Sequence, residues 1–143
     1  MKINQDFWTN TDIGLLIIRI TFAVLLLFHG WHKVLHGLDA SMVRLTDFTF
    51  LPGFLIYFTY VAEVMAPLLI IFGLFTRLAA LSIFVTMTVV MYIVIATGVT
   101  FSAFGAPNIE PQIFYFLTSA GLFFTGSGRY RIPLPQSNHW IFE

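Results

Sequence analysis

No cysteine occurs in this 143-residue chain. That absence removes disulfides, thiolate metal ligands, a cysteine nucleophile and cysteine-ligated iron-sulfur clusters, so any redox chemistry must use a bound cofactor or a partner chain. Charge is scarce as well: Asp, Glu, Lys and Arg make up 10% of the residues, against about 25% in ordinary soluble domains. Seven basic residues balance seven acidic ones, and no basic run is present to suggest nucleic acid or a polybasic lipid anchor. A phosphate-binding glycine loop, a nucleophile motif and a paired-carboxylate motif are also missing. The first apolar run contains Arg19 and lacks a small-residue cleavage site, which argues against a cleaved signal peptide.

Apolar side chains are what the chain has in excess, 58% of the total, where about 45 to 50% is usual. A soluble domain of this size could not bury that much apolar surface. The composition therefore specifies an all-α integral membrane protein, with room for little beyond a few spans and their connections. We read residues 1–143 as one membrane domain with spans over about 13–35, 51–75, 78–97 and 109–126 and a polar tail at 129–143.

Trp8 precedes the first span as an interfacial anchor, and Gly37 is placed to terminate it. The connection from Leu38 to Phe50, with Asp39, Arg44 and Asp47, reads as amphipathic or irregular at the interface. Pro52 suits the start of the second helix. Gly73, Thr76 and Arg77 mark a tight turn, the third span carries no charge, and Gly105, Ala106, Pro107 and Asn108 form a breaker cluster before the fourth. That fourth segment is the shortest; a transmembrane helix is the first reading and a re-entrant or interfacial helix the alternative. Its Ser119, Ala120 and Gly121 permit close helix contact. Pro133 and Pro135 mark the polar tail.

Four spans form a four-transmembrane-helix bundle with both termini and the Thr76/Arg77 turn on one side, where Lys2, Arg77, Arg129 and Arg131 fall. Lys33 and Arg44 lie opposite, so the positive-inside rule places the N and C termini in the cytoplasm.

The stretch from Arg19 to His36 puts polar groups where a spanning helix should be bland, and ionisable residues inside a membrane are functional-site candidates by default. At 100° per residue Arg19, Leu26, Gly30 and Lys33 share one side of the first helix, and His29, His32 and His36 form an adjoining stripe. An arginine at the centre of a span costs roughly 2.5 to 3.5 kcal/mol, which turns this face toward the bundle interior. Arg19 also lies near enough to the span's end to snorkel.

Glu63 lies mid-segment with too short a side chain to reach water, so it needs a partner or a proton. Arg19 is the expected partner, although in antiparallel helices the two side chains lean apart, and a water or ligand would have to close the gap. Pro67, four residues after Glu63, leaves the Glu63 carbonyl without its helical donor and predicts a kink there. Two of His29, His32 and His36 could share a metal. No further ligand completes that set, and an interfacial position accounts for His32 and His36 without one.

Arg19, the His29-Gly30-x-x-Lys33 motif, Glu63 and the run Gly73-Leu74-Phe75-Thr76-Arg77-Leu78-Ala79-Ala80 occur in an order that resembles the DoxX family of small bacterial membrane proteins. Gly126-Ser127-Gly128-Arg129-Tyr130 is similar to that family's glycine-rich close, and Glu110 matches an acidic residue before its last span. The resemblance implies a four-helix bundle in the bacterial inner membrane, related to the membrane subunit of thiosulfate:quinone oxidoreductase and to terminal quinol oxidation. It also implies that Arg19, His29, Lys33 and Glu63 are the ligand or proton-site residues, with Arg77 and Arg129 setting topology. The chain departs from the family pattern at Tyr92 to Gly98, where many relatives carry a histidine, and at Arg131-Ile132-Pro133, where an aspartate is missing.

Three functional readings fit these residues. The first is the membrane subunit of a quinone-linked oxidoreductase or respiratory complex, with quinone as its cofactor and partner subunits or a homo-oligomer around it in the lipid bilayer. The second is a non-catalytic anchor or assembly subunit whose buried polar groups fix helix register. The third is a small-solute or proton transporter.

Overall fold

A computed structural model of the chain describes residues 10–37 and 57–132. The readings placed on Trp8, on the Leu38 to Phe50 connection, on Pro52 and on the tail from Pro133 fall outside the described residues. Four helices make up most of what is described: α1 (Thr11–His36), α2 (Phe58–Phe72), α3 (Thr76–Thr97) and α4 (Glu110–Thr125). No strand occurs among the described residues beyond a single bridge between Phe101 and Pro107.

Each helix boundary has a local cause. Asn10 caps α1, its side-chain oxygen accepting from the amides of Asp12 (3.1 Å) and Ile13 (3.3 Å). Gly73 closes α2 in a left-handed conformation (φ 70°), with its amide donating to Ile70 and that of Leu74 to Leu69. This is the Schellman pattern, which uses glycine because a Cβ is unfavourable there. Phe75 follows with φ 49° and forms the corner from which α3 departs. Between α3 and α4 the breaker cluster folds into a tight loop, Asn108 bonding Thr100 through both its amide and its side chain. Pro111 sits in the first turn of α4, where its missing N–H costs nothing.

Side-chain contacts show how the helices run. Arg19 near the start of α1, Gly73 at the end of α2, Arg77 at the start of α3 and Ser127 just beyond α4 meet at one end, called here the arginine end. Lys33 late in α1 and Tyr60 and Glu63 in α2 meet toward the other, the lysine end. Successive helices are therefore antiparallel, and α3 and α4 share the most extensive interface.

The core combines Phe22, Leu26, Ile70, Ile83, Met87, Tyr115 and Leu122 with Ala23, Ala62, Ala66, Ala79 and Ala80. Small residues let helix backbones approach closely, the usual device where lipid offers no hydrophobic force between helices. Of the three small residues noted in α4, Ser119 is fully buried whereas Gly121 faces outward.

The distribution of polarity is inverted relative to a soluble protein. Arg19 is 2% exposed and Glu63 3%, while Phe28 is 68% exposed and Phe124 77%, with many large apolar side chains exposed along all four helices. Apolar surface on this scale matches hydrocarbon and not water. By length and composition two helices, α1 and α3, suffice to cross a membrane. The 16 residues of α4 span about 24 Å, short of a hydrocarbon core of about 30 Å.

Candidate functional site

Glu63 sits inside a π-helical turn, Val61–Met65, in the middle of α2. The turn arises next to Pro67, which has no amide to continue the α-helical ladder, so the expected kink takes the form of a widened turn with Ala66 donating to the Val61 carbonyl. Gly30 of α1 packs directly on this widened backbone. A Cβ at that position would collide with the Glu63 carbonyl oxygen, lie 2.6 Å from its carbon and 2.9 Å from Val64 Cγ2. The glycine thus lets α1 seat against the proline-freed carbonyl, and it places Lys33, one turn later, opposite the Glu63 side chain.

Lys33 Nζ donates to Glu63 Oε1 at 2.6 Å. Tyr60 supports the arrangement by donating to the Lys33 carbonyl at 3.3 Å. The pairing follows from side-chain direction. Helical side chains lean toward their own N-terminus, so Lys33 leans back into the bundle and Glu63 leans toward the lysine end, and the two converge. Arg19, fourteen residues before Lys33, lies about 21 Å from it along the axis, on the far side of Glu63, so the same lean carries it away from the carboxylate.

Arg19 therefore does not pair with Glu63, and this corrects the expectation from sequence. Its guanidinium donates to the Ser127 carbonyl and, at 2.6 Å, to that of Tyr130. Arg77 donates to the Phe123 carbonyl at 3.1 Å. Together the two arginines satisfy backbone acceptors at and beyond the end of α4, where helix geometry leaves carbonyls without donors and the dipole favours cations. Backbone amides add to the hold on the segment after α4: Arg129 donates its amide to Asp12 Oδ1 at 3.3 Å, and Ile132 to the Phe72 carbonyl at 3.2 Å. Gly128 packs on Leu15, whose Cδ2 would lie 2.8 Å from a Cβ at that position, and its φ of 68° favours glycine.

A cavity of about 70 Å³ adjoins the Lys33–Glu63 pair. All four helices line it: Leu26, His29 and Lys33 from α1, Glu63 from α2, Met87 and Val90 from α3, and Pro111, Gln112 and Tyr115 from α4. His29 is exposed on the outer side and meets the Tyr115 ring edge-on, with centroids 5.7 Å apart. Glu63 Oε2 is buried and has no hydrogen-bonding partner among the described residues.

Of the four residues singled out from sequence, the fold thus gathers His29, Lys33 and Glu63 around one cavity and sends Arg19 to the opposite end. His32 and His36 do not join them. Their rings stack on each other 4.4 Å apart on the exposed side of α1, with His36 Nδ1 3.1 Å from the His32 carbonyl oxygen. Among the described residues no three histidine, aspartate or glutamate side chains are grouped to hold a metal. Tyr115 and Gln112 were missed from sequence, because a tyrosine and a glutamine in an apolar segment look like interfacial residues until the register of α4 is known.

No curated protein matches the chain, and no solved structure does. The DoxX family model matches residues 14–96. This stretch includes Arg19, His29, Gly30, Lys33, Glu63, Gly73 and Arg77, and so covers the ion pair, the glycine contact that seats it and both arginines that clamp the end of α4. The match spans more than half of the sequence and agrees with the apolar exterior, and the chain belongs to the DoxX family.

Proposed function

We propose that the protein is a multi-pass subunit of a quinone-linked oxidoreductase in a bacterial inner membrane, with the cavity beside Glu63 receiving one end of the quinone. The observation that carries this reading is a buried ion pair, its carboxylate held by one donor, beside a cavity lined by all four helices.

All four helices cross the bilayer in this reading. The arginine end, with Arg19, Arg77, Arg129 and Arg131, is cytoplasmic and the lysine end faces out. α4 is short for a span, but Arg77 caps a carbonyl in its last turn and Arg19 caps carbonyls beyond it.

The residues present fit a quinone head group. Lys33 and His29 offer donors, Glu63 an acceptor, Tyr115 an aromatic edge, and Leu26, Met87 and Val90 an apolar floor. A bound quinone would supply two-electron, two-proton carrier chemistry. The chain's part is to hold the ring edge, to exclude water from it and to keep a carboxylate within reach of its oxygen. The electron-transfer centre belongs to a partner subunit.

The test is to isolate the protein with its native partners from membranes, extract the lipids for quinone analysis, and measure quinone-dependent electron transfer in wild type and Glu63→Gln. Co-purifying quinone, together with at least about tenfold lower transfer in the folded variant, is expected. Absence of quinone with unchanged transfer overturns the proposal.

A second reading rests on the arginine end, where every bond of Arg19 serves to hold the chain beyond α4 against α1. For that residue an assembly role fits better than a ligand role.

A further inference from the structure

We propose that the loop between α3 and α4, Gly98 to Ile109, lies in the lipid interface at the lysine end and inserts Phe101 and Phe104 among the lipid chains. This rests on the reading above that α3 and α4 cross the bilayer.

Helix register sets the depth of the loop. Arg77 of α3 bonds the Phe123 carbonyl of α4, and Phe84 stacks on Phe116 with ring centroids 4.3 Å apart, so both contacts belong to one antiparallel alignment. Carried along the pair, that alignment sets Glu110, the first residue of α4, beside Val90, and Val90 and Pro111 do line one cavity. α3 continues to Thr97, about 10 Å past the start of α4. The connecting chain has to come back by that distance. Thr100 is already joined to Asn108, whose amide donates to the Thr100 carbonyl at 2.8 Å and whose Oδ1 accepts the Thr100 amide at 3.1 Å. Asn108 stands two residues from Glu110 and so within about 7 Å of the start of α4. The base of the loop therefore lies short of the end of α3.

Composition suits that depth. No charged residue occurs from Gly98 to Ile109, so the loop offers a protein partner no charge to recognise. Its polar groups serve its own backbone: the amides of Ser102 and Gly105 donate to the carbonyls of Ala106 and Ser102 at 2.8 and 2.9 Å, Ser102 Oγ accepts the Ala106 amide at 3.2 Å, and Pro107 has no amide to satisfy. A backbone that bonds itself loses little on leaving water. The aromatic side chains instead face outward, Phe104 98% exposed and Phe101 70%, beside the exposed Tyr92 and Ile95 in the last turns of α3. Rings held outward on such a loop match the boundary between headgroups and acyl chains. Glu110, exposed at the start of α4, leans toward its own N-terminus and so carries its carboxylate outward to the same boundary.

The test uses the absence of native cysteine. Phe101→Cys, Phe104→Cys and two mid-span references at exposed positions, Val85→Cys in α3 and Leu117→Cys in α4, are each spin-labelled in the full chain in lipid nanodiscs. Power-saturation measurements then compare collisions with oxygen, which concentrates in lipid, and with a nickel chelate, which stays in water. Oxygen should dominate at all four positions, with the ratio at 101 and 104 below that of the mid-span labels, as a shallower depth requires. Ala103→Cys keeps both phenylalanines and gives the same reading should a phenylalanine variant fail to fold. Chelate collisions dominating at the loop while Val85 and Leu117 stay in lipid overturn the proposal and leave the spans standing. Chelate collisions dominating at Val85 or Leu117 overturn both. Loop labels immobilised and shielded from both reagents place the loop against protein and also overturn it.

Discussion

Replacing Lys33 by methionine removes the sole hydrogen-bonding partner found for the Glu63 carboxylate among the described residues while keeping most of the side chain's volume. Glu63 is 3% exposed and Oε2 is already bare, so the variant leaves both carboxylate oxygens buried without a donor. Breaking a buried pair from one side costs about 3 to 5 kcal/mol. An ordinary interhelical hydrogen bond inside a membrane averages only about 0.6 kcal/mol, so the size of the loss tells the two apart. Glu63→Leu should cost less, about 1 to 3 kcal/mol, because the Lys33 side chain is 12% exposed and its long stem lets the ammonium turn toward the interface. The double variant removes both charges and should lie within about 1 kcal/mol of the wild type, since a buried pair replaced by apolar groups is often neutral. The assay is equilibrium unfolding in mixed detergent micelles followed by helical circular dichroism, run as a double-mutant cycle. Lys33→Met within about 0.5 kcal/mol of wild type, or a double variant equal to the sum of the singles, would refute the idea that the pair is buried and coupled.

Gly30→Ala forces a Cβ into the Glu63 carbonyl and should cost about 1 to 3 kcal/mol by pushing α1 off the π turn, read in the same unfolding assay; unchanged stability would contradict the close approach. Arg19→Gln loses charge-assisted bonds to the carbonyls of Ser127 and Tyr130 and should destabilise by about 3 kcal/mol. Amide exchange should rise around residues 127–132 while the amount of co-purifying quinone stays within about twofold, and loss of quinone without faster exchange would return Arg19 to the ligand site. Gly73→Ala places a Cβ 2.8 Å from Arg131 Cβ in a left-handed turn and should lower stability by more than about 1 kcal/mol, measured by unfolding.

Membrane character, the four apolar helices and the identity of the unusual residues were legible in the sequence, because each is a local or compositional property. An excess of apolar side chains can be satisfied only by burial or by lipid, and Pro67 dictates a broken hydrogen-bond ladder whatever surrounds it. Glu63 announced itself for the same reason: a carboxylate in mid-span needs a partner wherever that partner comes from. Which cation answers it was not legible. Arg19 and Lys33 share one helix face, and only the relative height of α1 and α2, set where Gly30 seats on the Glu63 carbonyl, decides that Lys33 converges on the carboxylate. Arg19 was left to find carbonyls more than a hundred residues away, in a glycine-rich segment whose backbone acceptors carry no mark in the sequence. Tyr115 and Gln112 joined the cavity in the same way, through the register of α4 against α1. The sequence determined the solvent and the helices, since those depend on each residue's own chemistry. The tertiary structure decided the pairing, since that depends on where two helices stop sliding past each other.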